Sequence, residues 1–182
     1  MNTEEQAKLL KMVHSMKSDR VRNYVLAGLD SYLLNNGTVR LFSSERETHD
    51  HITPHSHRFD FLCIVLSGYV VNRLWKLRPA HSDDADSFMR SKLYYNGEIG
   101  KHSREEIGGA WYSYADTTFR AGQCYAMASN EIHSIKFSRD ANVLFFEGPS
   151  KSLETTIIEP IVDGKVIRTY ETKPYMFLKG DA

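Results

Sequence analysis

Apolar residues recur along this chain with two different periods. In the first third, Leu9, Val13 and Met16 follow helical spacing behind Thr3 and Gln6, which have the form of a capping box, so the pattern predicts a first helix. Val21, Val25, Leu29 and Leu33 share one helical face and predict a second helix, starting near Ser18 or Asp19 and stopping at Asn35-Asn36-Gly37. These helices are placed over one flank of the domain or against a partner subunit. From Thr38 onward the runs become short and rich in β-branched and aromatic residues. Strands are predicted at 38–42, 59–66, 69–77, 111–119, 123–127, 133–137, 143–146, 155–158 and 165–170. Ser67-Gly68, Asp140-Ala141-Asn142 and Asp163-Gly164 punctuate them as turns. Their number and spacing predict an all-β fold, a small antiparallel barrel or jelly roll with N-terminal helices. Residues 78–109 break the rhythm with polar ends and are read as either a functional lid or a mobile, solvated insertion.

Length and charge narrow the picture. A chain of 182 residues is expected to form one domain, 1–182, with a helical extension at 1–36, a barrel at 38–147, and a hairpin and tail at 148–182. Lysine plus arginine equals aspartate plus glutamate at 23 each, so no global field recruits nucleic acid or a membrane surface, and a small-molecule partner is expected instead. The polar start and the absence of any apolar run near the ~20 residues of a membrane span predict a cytoplasmic protein. Cys63 and Cys124 sit in apolar contexts and are expected to be two buried thiols in a reducing compartment. The tail after Asp163-Gly164 could add a strand to the barrel edge or pair with a second subunit, and a homodimer is expected.

The chemistry concentrates in "HDHITPHSHRFDF". Alternate side chains of a strand share a face, so His55 and His57 point the same way with Cα atoms roughly 6.6 Å apart. Two imidazoles so placed can take adjacent positions on one cation. A third from another strand would leave the opposite positions open, and His133 in "AGQCYAMASNEIHSIKF" is the candidate.

The spacing of these residues resembles the cupin superfamily, whose motifs are G-x5-H-x-H-x3-E-x6-G and G-x5-P-x-G-x2-H-x3-N. The first motif puts its histidines on His55 and His57, its acid on Phe61 and its closing glycine on Gly68; His49 stands at its first glycine. The second puts its glycines on Gly122 and Asn130, its proline on Ala128, its histidine on His133 and its asparagine on Phe137. The resemblance covers about residues 38–147 and implies a double-stranded β-helix with a metal at His55, His57 and His133. Phe61 replaces the usual carboxylate ligand, and Asp60, one residue early, is turned away by alternation; a local bulge would make it a reserve ligand.

Three neutral imidazoles leave the charge of a dication uncompensated, which favours an anionic ligand such as a thiolate or a carboxylate. Among cupins, three-histidine sites are similar to those of the cysteine and cysteamine dioxygenases. That resemblance implies Fe(II), a small thiol substrate bound through sulfur, and O2. It also draws attention to Cys63, since one subgroup carries a cysteine shortly after H-x-H that cross-links to a tyrosine; here the cysteine falls one residue late. Arg58 and Arg73 are possible carboxylate clamps, and Arg73 stands out because it interrupts an apolar run. Two other readings stay open. One is a non-catalytic metal-binding or small-ligand-binding module; the other is an isomerase or lyase using Mn, Ni or Zn, since imidazole suits several metals.

Overall fold

A computed structural model describes residues 3–22, 27–34, 38–48, 51–95 and 102–168. Helix α1 (Thr3–Ser15) is followed by β1 (Lys17–Val21), β2 (Leu29–Leu34), β3 (Val39–Ser44), β4 (Phe59–Ser67), β5 (Tyr69–Arg78) and β6 (Asp86–Tyr95). The order continues with β7 (His102–Arg120), β8 (Cys124–Met127), β9 (Ile132–Phe137), β10 (Asn142–Ser150), β11 (Glu154–Val162) and β12 (Lys165–Val166). Two antiparallel sheets result, ordered β1-β2-β3-β10-β4-β8 and β12-β11-β6-β7-β5-β9.

The segment before β4 completes the second sheet. Thr48, Ile52 and His55 donate backbone hydrogen bonds to Phe137, Ile135 and His133, and His133 donates back to His55, at 2.8–3.0 Å. Counting this segment as a strand beside β9, the order β3-β10-β4-β8 faces the order segment-β9-β5-β7. In chain order that is 1-8-3-6 against 2-7-4-5, the jelly-roll arrangement of cupin-type barrels. The same segment also touches β11 on its other side: Ser56 N donates to Thr156 O at 2.8 Å, and Ile158 N donates to Pro54 O at 3.1 Å. Residues 54–57 therefore lie between β9 and β11.

Alternation explains the packing. Phe61, Cys63 and Val65 of β4, Val143 and Phe145 of β10, and Ile135 and Phe137 of β9 meet between the sheets as the main core. Leu66, Leu144 and Leu41 face the other way, where Val13 and Leu9 of α1 cover them. A smaller cluster of Phe88, Tyr112 and Ile158 forms where β6, β7 and β11 extend the second sheet. Gly68 makes the β4–β5 turn with φ 65°.

Three expectations need correction. The described residues of the predicted second helix form no helix: they make β1 and β2, paired antiparallel. Apolar residues four apart satisfy a strand face as well as a helical one, and Gly28, at φ 84°, breaks the run between the two strands. Residues 78–109 do not form a solvated loop, because β6 and β7 pair through ten registers from Asp86↔Tyr112 to Tyr95↔His102. Cys124 is exposed, so only Cys63 is a buried thiol. The predicted turn at Asn35-Asn36-Gly37, His49 and the tail from 169 lie outside the described residues. No described helix is long and apolar enough to cross a membrane.

Candidate metal centre

His55, His57 and His133 converge, with one ligand nitrogen from each lying within 4.8 Å of the others. Backbone pairing produces this: His55 forms an isolated bridge to His133, and alternation brings His57 back to the same side. Ring centroids are 4.8 Å apart for His55–His57 and 5.2 Å for each of the other pairs. His133 is buried at 4% exposure, whereas His55 and His57 are half-buried.

Hydrogen bonding orients two of the rings. His55 Nδ1 lies 2.7 Å from the carbonyl oxygen of Thr53, which can only accept, so Nδ1 carries the proton and Nε2 keeps its lone pair. His133 Nδ1 lies 2.7 Å from Asn72 Oδ1 and is fixed the same way. Nε2 of His57 stands 3.0 Å from Nε2 of His133. Two nitrogens bound at about 2.1 Å to one ion at a right angle are about 3.0 Å apart, so this pair already has the spacing of adjacent ligands. Burial pushes the proton affinity of all three rings down; the neighbouring imidazoles add to this for His57, and His55 does for His133. Neutral rings, two of them with an anchored Nδ1–H and an inward Nε2 lone pair, are the kind of donor set a divalent ion requires.

The walls are aromatic. Phe61 packs edge-on against His57 at 4.6 Å and lies 5.4 Å from His133, while Phe59 and Phe145 stand 5.6 and 6.0 Å from His57. Phe61 is 3% exposed, so the position where the family motif has its acid is filled by a core ring. Asp60 points outward: its Oδ1 accepts from Ser129 N at 2.9 Å, and its carboxylate pairs with Lys151. It lies outside the cluster, and no bulge turns it inward.

Arg73 and Cys63 do not join the imidazoles. Arg73 lies on the face of β5 opposite Asn72, binds Asp116 through two bonds of 2.7 and 2.8 Å, and stacks 3.7 Å over Tyr114. Cys63 faces the core at 3% exposure, opposite Tyr125 in the β4–β8 register. Burial pushes its thiol up to about 12, so it remains protonated and is a poor nucleophile. The Tyr125 hydroxyl approaches Cys63 but makes no well-formed hydrogen bond.

Asn72 was missed from the sequence. The signal was present: Asn72 interrupts the apolar run one residue before Arg73 and on the opposite face, where a buried amide needs a partner.

No protein-family description and no curated protein matches the sequence. Among solved structures, the cupin domain of Drosophila melanogaster CENP-C aligns with TM-score 0.40 and 11% identity over 81% of this chain and all of that one. Hydroquinone 1,2-dioxygenase from Sphingomonas sp. TTNP3, with 4-hydroxybenzoate bound, aligns with TM-score 0.36 and 14% identity over 65% of this chain and 64% of that one. The Cd2+ complex of the hydroquinone dioxygenase PnpCD aligns at TM-score 0.33 and 16% identity over 68% and 60%. These are likenesses of outline, and the reading of the centre rests on the chain's own imidazoles.

Proposed function

We infer that the protein is a non-haem metal-dependent oxygenase in which His55, His57 and His133 hold Fe(II) and a small thiol is oxidised by O2 to a sulfinate. The supporting observation is the convergence of three imidazoles, two of which, His55 and His133, are oriented from behind by Thr53 and Asn72. When bound, the ion supplies Lewis acidity and redox chemistry. The rest belongs to the chain. The three histidines bind the ion without contributing negative charge, so its charge is available to an anionic sulfur ligand. Phe59, Phe61 and Phe145 exclude water from one side of the centre, and half-buried His55 and His57 border the side from which substrate enters. In the overall reaction both oxygen atoms end on sulfur, which loses four electrons as O2 gains four, so no further reductant is required.

The test is elemental analysis of protein purified without added metal, alongside His57→Ala and His133→Ala, followed by oxygen uptake with small thiols. Stoichiometric iron that disappears in both variants, together with thiol-dependent uptake, is the expected result. Wild-type metal content in the variants refutes the site. Manganese, nickel or zinc in place of iron redirects the reading toward isomerase or lyase chemistry. Thiol binding without oxygen uptake leaves a ligand-binding module.

A further inference from the structure

Two charged side chains face the barrel interior opposite the aromatic wall of the centre, and neither belongs to the metal cluster. On β3, Phe42 packs into the inner core and Val39 against the helix-covered face, so alternation turns Arg40 inward. Arg40 stands directly opposite Phe145, and Glu147 directly opposite Phe61. Those two rings lie 6.0 and 4.6 Å from the ring of His57. Opposed residues on antiparallel strands have Cβ atoms about 4.5–5.5 Å apart, so the charged pair borders the same aromatic wall. Arg40 Nε donates to Glu147 Oε1 at 3.0 Å, and the two side chains retain only 11% and 23% exposure. The guanidinium that borders this wall is thus already matched by a carboxylate from the chain itself. Arg73, one of the two clamps expected from the sequence, is held outside by Asp116.

We propose that Glu147 acts as a resident competitor for a substrate carboxylate, so that the centre selects small thiols with a neutral, apolar body and rejects thiols that carry a carboxylate. This rests on the reading of the centre as a thiol-binding metal site. For a substrate carboxylate to reach Arg40, Glu147 must surrender a charge-assisted bond and then stand beside a like charge in a poorly hydrated wall. A neutral body packs on Phe59, Phe61 and Phe145 and leaves the pair intact. Glu147 therefore determines specificity by repulsion, without touching the ion.

The experiment titrates Co(II)-loaded protein with propanethiol and with 3-mercaptopropionate, which share a chain length, and follows the thiolate-to-cobalt absorption band at equilibrium. Propanethiol is expected to bind about tenfold more tightly, the equivalent of one lost charge-assisted hydrogen bond. Glu147→Gln removes the competing carboxylate and is expected to raise the affinity for 3-mercaptopropionate by a similar factor while leaving propanethiol unchanged. Equal or tighter binding of 3-mercaptopropionate by the wild type overturns the inference, and so does a folded Glu147→Gln variant with the wild-type ratio. The wild-type comparison decides by itself if that variant does not fold. If neither thiol produces the band, the thiol reading of the centre falls and the inference falls with it; a band with the reverse preference removes the inference alone.

Discussion

Replacing Asn72 with leucine tests whether the centre depends on the residues behind its ligands. The amide of Asn72 is 8% exposed and its Oδ1 lies 2.7 Å from Nδ1 of His133, itself 4% exposed, so water cannot substitute for the lost acceptor. Leucine is close in volume, which keeps the cavity contribution small; the other bond lost is the weak one from Nδ2 to Met127 Sδ at 3.6 Å. An unpaired buried N–H costs about 1–3 kcal/mol. Removing the partner of a metal-bound histidine lowers metal affinity by about 10–100-fold, and at about 1.4 kcal/mol per decade the two estimates agree. Competition for Co(II) against a chromophoric chelator measures the loss directly, with denaturant unfolding of the metal-free protein as a second readout. Asn72→Asp keeps an acceptor and is expected to retain affinity. If the leucine variant binds the ion as tightly as the wild type, Asn72 does not orient His133 and the argument from anchored tautomers fails.

Other expectations follow from local geometry. Gly68→Ala places a Cβ 2.6 Å from Ser138 Oγ and 2.9 Å from Ala141 Cα at a φ of +65°. It should lose about 1–3 kcal/mol of unfolding free energy, and a neutral result would show that the turn relaxes freely. In the native protein a thiol reagent at pH 8 should label exposed Cys124 and leave Cys63 untouched until unfolding; rapid labelling of both would contradict the burial of Cys63. The Cys63 thiol is raised from 9.0 to about 12, so the folded state favours its neutral form. Its contribution to stability is complete below about pH 9 and is lost as pH climbs toward 12, at up to about 1.4 kcal/mol per pH unit. Unfolding of wild type and Cys63→Val at pH 8 and pH 10.5 should show a steeper alkaline loss in the wild type, and parallel losses would remove the claim.

The strands were legible where short runs were rich in β-branched and aromatic residues. Residues 59–66, 69–77 and 133–137 are such runs, and β4, β5 and β9 form there. The stretch from Val21 to Leu33 misled because a spacing of four suits both periods, and the glycine at position 28 was the discriminating residue. Residues 78–109 misled because their polar ends and length concealed β6 and the first half of β7. The three histidines could be paired from motif spacing. Arg40 and Glu147 could not, since 107 positions separate them and only the registers of β3 and β4 on β10 bring them together. Arg73 drew attention as a charge in an apolar run, but a strand with one solvent-facing side accommodates such a charge beside Asp116.

Residues 54–57 act as the clasp of a hoop: they carry two of the imidazoles and also tie β9 to β11 through the bonds at Thr156 and Ile158. An ion seated there would help to fasten the hoop, and each would favour the other by the same free energy. The amide of Ile158, which ligates nothing, should therefore exchange with deuterium more slowly once Co(II) is added, with the slowing absent in His133→Ala. An unchanged rate at Ile158 would mean that the clasp stays fastened whether or not it holds a cation.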